Sequence, residues 1–230
     1  MSEKSSQNLN SQQKKAVTST EGPVLVLAGA GAGKTKTIAE RIRHLVEKGV
    51  DPHAILAITF TNKAAKEMRE RIEEGLKSSP MLNRPVSLSE RPFVSTFHSL
   101  GVHILREHAG KLGLKKYFTI FDRDDSKKAI KEALLTLELD PKMHDPGRII
   151  SLISREKGAG RNMGDTSDKK ENKYFREIIS VVWPIYEKIL ARDNALDFDD
   201  LLLKTRNLLN NNPLVRKYYQ YVWKYIHIDE

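Results

Sequence analysis

The sequence predicts an α/β fold, in which helices flank a parallel β-sheet and a mostly helical segment is inserted as a subdomain of its own. Two patterns carry this prediction. Short apolar runs at 24–27, 55–60 and 93–96 are each followed by a segment of helical periodicity, as in an open α/β sheet. From Gly110 onward, long helical patterns follow one another without a long β-branched run between them.

Length and composition place the chain among globular proteins. Its 230 residues suffice for one large domain or two small ones, and 39% apolar with 30% charged residues exclude a disordered or membrane class. No apolar run approaches the ~18 residues of a membrane span, and the N-terminus lacks the apolar core of a signal peptide. The absence of cysteine excludes disulfides, thiolate metal sites and a cysteine nucleophile. We therefore expect a cytoplasmic protein without a membrane partner.

The net charge indicates a polyanionic partner. A formal charge of +9 and an isoelectric point near 9.5 are typical of proteins that bind nucleic acid. The basic residues are spread evenly along the chain, however, rather than gathered in one segment. Charge alone therefore does not distinguish nucleic-acid binding from a merely basic surface.

The first half of the chain alternates strands and helices. Ile38, Ile42, Leu45 and Val46 recur at the spacing of one helix face. The run at 55–60 is nearly continuous in apolar residues, as expected of a strand buried on both faces. The patterns predict, in order, a short helix from Asn10 or Ser11, a strand at 24–27, a helix from Thr35 to Gly49, a strand at 55–60, a helix at 62–76, a loop at 78–92, a strand at 93–96 and a helix at 97–108.

The second half is dominated by helices. Tyr218, Tyr221 and Tyr225 share a helical spacing, which favours core packing over nucleic-acid stacking. We expect one domain of residues 1–103 with 191–230, and an inserted helical subdomain at 104–190. The predicted elements are helices at 123–139, 146–156, 172–193, 197–210 and 214–225, followed by a final apolar strand that ends in two acids.

A loop made only of glycine and alanine links the first predicted strand to the next helix. Such a loop turns backbone N–H groups inward and lets a polyphosphate approach without side-chain clash. Lys34 would reach the terminal phosphates, and the Thr35 hydroxyl would bind the accompanying Mg²⁺. Ala28 replaces the usual first glycine, and a flexible linker is the alternative interpretation. The predicted nucleotide-binding residues are Gln13, Ala28, Gly29, Ala30, Gly31, Ala32, Gly33, Lys34, Thr35 and Lys36.

Two acids follow the last predicted strand. A carboxylate at the end of a neighbouring strand holds Mg²⁺ in ATPases with such a loop, and an adjacent acid can orient the attacking water. Asp229 and Glu230 have these side chains at this place, although a pair of solvated acids is the alternative. The sequence predicts a magnesium site at Thr35 and Asp229, and a catalytic set of Lys34, Thr35, Asp229 and Glu230, with ATP and Mg²⁺ as cofactors.

Six sequence blocks occur in a characteristic order. They are Leu9–Gln13, Ala28–Thr35, Thr59–Ala65, Ser95–Ser99, Leu196–Leu201 and Ile226–Glu230. Together they resemble the N-terminal part of the superfamily 1 DNA helicases of the UvrD, Rep and PcrA type, and the resemblance runs from Leu9 to the end. It implies a RecA-like motor domain with a helical insertion.

The resemblance also implies the roles of individual residues. Gln13 matches the glutamine that reads adenine, because an amide can donate and accept at once. Hydroxyls, an amide and a helix start suit phosphates, while aromatic rings can stack on bases. The alternatives are an ordinary exposed glutamine, a core Phe60 and a merely polar His98. The implied DNA-binding residues are Thr59, Phe60, Thr61, Asn62, Lys63, Thr96, Phe97, His98 and Phe198.

By the same resemblance, the chain is the front part of an ATP-dependent 3′–5′ helicase or translocase. Its partners would be single-stranded DNA and single-strand/duplex junctions, in the nucleoid of a bacterial-type cytoplasm, in repair or replication. The second motor domain would be absent, so we expect weak ATP hydrolysis, no unwinding and self-association through an exposed sheet edge. The alternatives are a different P-loop ATPase and a binding module without catalysis.

Overall fold

The computed structural model describes residues 9–77, 79, 91–161 and 173–229, without the side chains of Lys173 and Phe175. The chain divides into two compact units. The first unit comprises Met1–Phe97 with Leu214–Glu230, and the second comprises His98–Pro213. The segment 104–190, expected to be an inserted subdomain, lies inside the second unit, and the domain bounds drawn from the sequence stay predictions.

A parallel sheet forms the centre of the first unit. Its strands lie in the order β2 (Phe93–Thr96), β1 (Ile55–Thr59) and β5 (Tyr225–Ile228), and both neighbours run parallel to β1. All five residues of β1 are buried, as the continuous apolar run predicts for a central strand. The α/β class with a parallel sheet flanked by helices is therefore confirmed.

Two amphipathic helices cover β1. Helices α2 (Lys34–Glu47) and α3 (Asn62–Lys77) bury their apolar faces in one cluster with the strand, and this cluster is the core of the first unit. The helix predicted at 62–76 is confirmed within one residue. Two further helices belong to this part of the chain, α1 (Ser11–Thr18) and α9 (Pro213–Val222).

The predicted strand at 24–27 is wrong. Val24–Leu27 joins neither sheet, and all four side chains are exposed, Leu25 by 84% and Leu27 by 87%. The segment lines a groove of about 570 Å³, and Ile226 and Ile228 of β5 also line it. An apolar segment forms a β-strand only where a neighbouring segment pairs with its backbone N–H and C=O groups. Among the described residues, no segment between Val24–Leu27 and β5 supplies these partners.

The second unit is mostly helical, as predicted, but it contains a short sheet that the sequence did not indicate. Strands β3 (Thr119–Phe121) and β4 (Ala195–Asp197) pair in parallel. A single apolar cluster from α5, α6, α7 and β4 forms the core. The helices are α4 (Phe97–Glu107), α5 (Arg123–Thr136), α6 (Pro146–Gly158), α7 (Lys173–Arg192) and α8 (Phe198–Asn211).

The expected core packing of three tyrosines is wrong for Tyr218 and Tyr221, whereas Tyr225 packs partly buried against the core of the first unit. Tyr225 lies in β5 and not in the helix predicted at 214–225. Tyr218 and Tyr221 are exposed, whereas Tyr219 and Trp223 are buried and stack with ring centroids 5.0 Å apart. The buried face continues from Val215 through Tyr219 to Trp223, an i, i+4, i+8 series. The tyrosines at 218, 221 and 225 and the residues at 215, 219 and 223 both have helical spacing. Periodicity alone therefore does not indicate which of the two series is buried.

Two further observations concern the part of the chain that the structure describes. None of its helices combines the length and the apolar character that crossing a bilayer requires. Nor does it hold a group of three or more histidine or acidic residues arranged to bind a metal ion. Most of the loop predicted at 78–92 lies outside the described residues.

Candidate nucleotide site and nucleic-acid contacts

The glycine and alanine loop leads directly into the N-terminus of α2. Gly31 and Gly33 adopt φ angles of +73° and +79°, a left-handed conformation that glycine accepts without strain. Helix α2 begins at Lys34, so the N–H groups of its first turn and the positive end of its dipole face the loop. This arrangement suits the oxygens of a polyphosphate.

Thr35 and Asp229 come together at the end of the sheet. The Thr35 hydroxyl donates a hydrogen bond to Oδ2 of Asp229 at 2.6 Å. The backbone N–H of Asp229 donates to the carbonyl oxygen of Ile58 at 2.8 Å, which ties the carboxylate to the end of β1. A hydroxyl and a carboxylate are the hard oxygen ligands that Mg²⁺ prefers. The two residues therefore fit the metal that the sequence predicts for them.

Lys34, Lys36 and Glu230 are further residues that the sequence predicts for this site. Nζ of Lys34 lies 3.4 Å from the carbonyl oxygen of Ala28, so this side chain folds back across the loop. Lys36 is partly buried on the same turn of α2. Glu230 lies outside the described residues, and its predicted catalytic role stays a prediction.

The amide of Gln13 is engaged at both ends. Its Oε1 accepts from the backbone N–H of Asn10 at 2.9 Å, which completes a capping box at the start of α1. Its Nε2 donates to the carbonyl oxygen of Ala32 at 2.9 Å. Gln13 thus links α1 to the Gly/Ala loop, and its amide keeps a second N–H and a second oxygen lone pair with which to contact an adenine.

The block Thr59–Lys63 divides into a buried and an exposed part. Thr59 is buried at the end of β1, as is Thr96 at the end of β2. Phe60, by contrast, is 68% exposed, so the alternative that it belongs to the core is wrong. Its ring packs against Phe97 with centroids 5.3 Å apart.

The rest of this block begins helix α3. The hydroxyl of Thr61 accepts from the backbone N–H of Ala64 at 3.1 Å and so caps the helix. Thr61, Asn62 and Lys63 are exposed. Phe60, these three residues and Phe97 are therefore the members of the predicted set that the first unit presents at its surface.

Comparison with known proteins agrees with this geometry. A family model described as the UvrD/REP helicase N-terminal domain matches residues 9–230. The chain belongs to this family. Membership in the UvrD/REP helicase family excludes the alternative of an unrelated P-loop ATPase such as a nucleotide kinase.

Curated relatives of the chain include proteins named ATP-dependent DNA helicase PcrA. The PcrA of Staphylococcus epidermidis strain RP62A is 42% identical over 224 residues, and that of Staphylococcus aureus strain NCTC 8325 is 41% identical over the same length. These matches cover 97% of this chain but 29% of each relative. The chain therefore spans less than a third of the length of these UvrD/REP-type relatives.

Within the second unit of this UvrD/REP-type domain, the aromatic residues of two predicted blocks meet. Phe198 is the first residue of α8, and its ring is 53% exposed. It packs edge-on against the ring of His98, with centroids 5.7 Å apart and an interplanar angle of 62°. Of the three acids next to Phe198 in the sequence, Asp197 and Asp200 are buried and Asp199 is partly exposed.

Lys157 is the residue near these acids that the sequence analysis missed. Its ammonium group is buried and contacts both Asp197 and Asp200. A sequence signal was present, because Ile149, Ile153 and Lys157 share the i, i+4, i+8 spacing of one helix face. A lysine on an apolar helix face needs acidic partners, and the acids of the Leu196–Leu201 block are candidates for them.

Proposed function

We propose that the chain is the ATP-binding part of an ATP-dependent DNA helicase or translocase that moves 3′ to 5′ along single-stranded DNA in repair or replication. The observation that carries this proposal is the 2.6 Å hydrogen bond between Thr35 and Asp229, beside the loop that ends at Lys34. This contact supports the proposal because it joins a hydroxyl and a carboxylate, both suited to binding Mg²⁺, beside the loop on which a nucleoside triphosphate would end.

Different residues of the site would bind different parts of Mg·ATP. The N–H groups of the loop and of the first turn of α2 would bind phosphate oxygens, and Lys34 would pair with the terminal phosphates. Thr35 and Asp229 would hold the Mg²⁺, which on binding supplies charge neutralisation at the phosphates. Glu230 would orient the water that attacks the terminal phosphate.

DNA binding is proposed to use the exposed members of the predicted set. Phe60 and Phe198 would stack on bases, while the hydroxyl, amide and ammonium of Thr61, Asn62 and Lys63 would bind phosphates. Stacking tolerates any base because every base has a π-face, which suits a motor that moves along DNA of any sequence. The DNA partners would be single strands and junctions of single strands with duplex.

The remainder of a longer protein is proposed to complete both the sheet and the ATP site. The groove between Val24–Leu27 and β5 offers an apolar lining and an unpaired strand edge among the described residues, which suits one further β-strand. Weak ATP turnover by this chain alone, and its self-association through the same edge, stay predictions. Light scattering at high protein concentration measures that self-association.

Equilibrium binding of a fluorescent ATP analogue with Mg²⁺ tests the proposed nucleotide site. Lys34→Ala is expected to weaken binding by about tenfold to a hundredfold, because a hydrogen bond to a charged group contributes about 1.5–3 kcal/mol. Lys48→Ala removes the same charge from the exposed C-terminal end of α2 and serves as the matched control. Repeating the titration with oligo-dT present shows whether DNA and nucleotide bind together.

Two outcomes would contradict the proposal. An equal loss in Lys34→Ala and Lys48→Ala would mean that Lys34 acts only through net charge. If the unaltered chain bound no nucleotide but still bound oligo-dT, the alternative of a binding module without catalysis would be favoured instead.

A further inference from the structure

The ammonium group of Lys157 is the centre of a buried ion cluster in the second unit. The side chain is 1% exposed, and Nζ lies 2.7 Å from Oε1 of Glu187, 2.7 Å from Oδ2 of Asp197 and 2.9 Å from Oδ1 of Asp200. An isolated ammonium is costly to bury, and three carboxylates within hydrogen-bond distance offset that cost. Burial acts to lower the pKa of Lys157, and these carboxylates overcome it and raise the pKa above its ordinary value.

The cluster ties together four elements of the unit. Lys157 lies in α6, Glu187 in α7, Asp197 at the end of β4 and Asp200 in α8. Lys204 adds a second cation, 3.3 Å from Glu187 and 3.6 Å from Asp200. Lys204 makes no ion pair with Asp197, so the two lysines differ in whether they reach that carboxylate.

Asp197 connects this cluster to the start of α8. Its Oδ1 accepts from the backbone N–H of Asp200 at 2.8 Å, which caps the helix. Its Oδ2 accepts from Nζ of Lys157 at 2.7 Å and from the hydroxyl of Tyr186 at 2.9 Å. Both carboxylate oxygens of Asp197 therefore accept hydrogen bonds. Lys157 and Tyr186 together fix the orientation of the carboxylate that caps α8.

The residue after this cap is Phe198. Its backbone starts α8, so the direction in which the Phe198 ring leaves the helix depends on the orientation of the first turn. The ring is half exposed and rests edge-on against His98. One peptide unit therefore separates the buried, hydrogen-bonded carboxylate of Asp197 from the exposed Phe198, which rests against the partly exposed His98.

We propose that Lys157 is a positioning residue for DNA binding: it fixes Asp197 at the start of α8, so that Phe198 is held against His98 as a platform for an unpaired base. This inference rests on the proposed function. A buried ion pair often contributes little net stability compared with apolar residues of similar volume, so orientation of the cap is the property that this lysine supplies. A preorganised ring binds a base without first losing side-chain freedom.

The test compares Lys157→Met with Lys204→Met, two substitutions that each remove one ammonium from the same cluster. The first readout is the NMR chemical shift of the His98 ring protons in the DNA-free chain, with Phe198→Ala as the reference for loss of the ring contact. The second is the affinity for oligo-dT, measured by fluorescence anisotropy. The third is the thermal unfolding midpoint.

Lys157→Met is expected to move the His98 signals towards their positions in Phe198→Ala. Its affinity for oligo-dT is expected to fall as far as that of Phe198→Ala, by about fivefold to a hundredfold, the range for losing one stacked base. Lys204→Met is expected to keep the His98 signals and to bind oligo-dT within about twofold of the unaltered chain, because it leaves the contacts of Asp197 in place.

The opposite pattern would overturn the inference. A Lys157→Met chain with a lower unfolding midpoint, unchanged His98 signals and unchanged affinity would show that Lys157 has a structural role only. If that variant does not fold, Lys157→Met/Asp200→Asn removes one charge of each sign, and the same readouts apply. If Phe198→Ala binds oligo-dT normally, the stacking role of Phe198 fails, and the His98 signals alone decide whether Lys157 positions the ring.

Discussion

Asp229→Asn is expected to abolish the dependence of nucleotide binding on Mg²⁺. Asparagine keeps the shape of the side chain and can still accept the hydrogen bond from Thr35, but it lacks the charge that holds a divalent cation. In the unaltered chain, removing Mg²⁺ with EDTA should weaken binding of the ATP analogue by about 10–100-fold, because the phosphates then lose a charged partner worth about 1.5–3 kcal/mol. The variant should bind as weakly with Mg²⁺ as without it.

The measurement is a pair of binding curves for each protein, with Mg²⁺ and with EDTA. Glu21→Gln removes an exposed carboxylate from the same unit and should leave the Mg²⁺ dependence unchanged. A variant in which Asp229→Asn retained the full response to Mg²⁺ would remove Asp229 from the metal site. Because the readout is binding, the result does not depend on whether this chain hydrolyses ATP.

Gly101→Val is expected to destabilise the second unit by about 3 kcal/mol, near the upper end of the range for overpacking. Gly101 lies in α4, and a Cβ at this position would come 2.6 Å from the backbone carbonyl oxygen of Leu201 in α8. It would also come 3.2 Å from Oγ1 of Thr205, which itself hydrogen-bonds to that carbonyl. The backbone cannot yield as a side-chain tip would, so the helices must separate, which outweighs the roughly 0.3–0.5 kcal/mol of helix propensity gained by replacing glycine with valine.

Urea denaturation measures this loss when it is followed by tryptophan fluorescence in a Trp223→Phe background. Trp183 then remains as the single reporter, and it lies in the core of the second unit. Gly110→Val is the control, since a Cβ at Gly110 meets no atom within 4 Å. Equal stability of the two valine variants would contradict close packing of α4 on α8.

The helices could be predicted from the sequence because their signals are local. The spacing of Ala65, Met68 and Ile72 predicts the buried face of α3. The predicted bounds of this helix agree with the structure within one residue. Strands depend on partners that lie elsewhere in the chain. The run Val24–Leu27 reads as a strand, yet it joins no sheet among the described residues, whereas Thr119–Phe121 is a strand despite having only three residues.

In the candidate site too, features with local sequence signals could be predicted, whereas contacts between distant residues could not. The loop before Lys34 could be recognised from residue types and spacing, because phosphate binding by a backbone needs small residues in a fixed order. The contact of Thr35 with Asp229, by contrast, joins residues 194 positions apart through the pairing of β1 with β5. The spacing of Lys157 on an apolar helix face indicates that it is buried, but its acidic partners lie on three other elements, so the cluster itself could not be predicted from local sequence.

The parallel pairing of Ile55 with Tyr225 has a consequence for biosynthesis. A ribosome adds residues from the N-terminus, so β1 leaves the exit tunnel long before β5 exists. The segment His98–Pro213 is contiguous and can form its own core as soon as it has emerged. We therefore expect the second unit to fold before the sheet is complete, because β1 can pair with β2 early but its other edge stays unpaired until β5 has emerged. During that interval the nascent chain presents an apolar β1, which makes the first unit the part most dependent on chaperones.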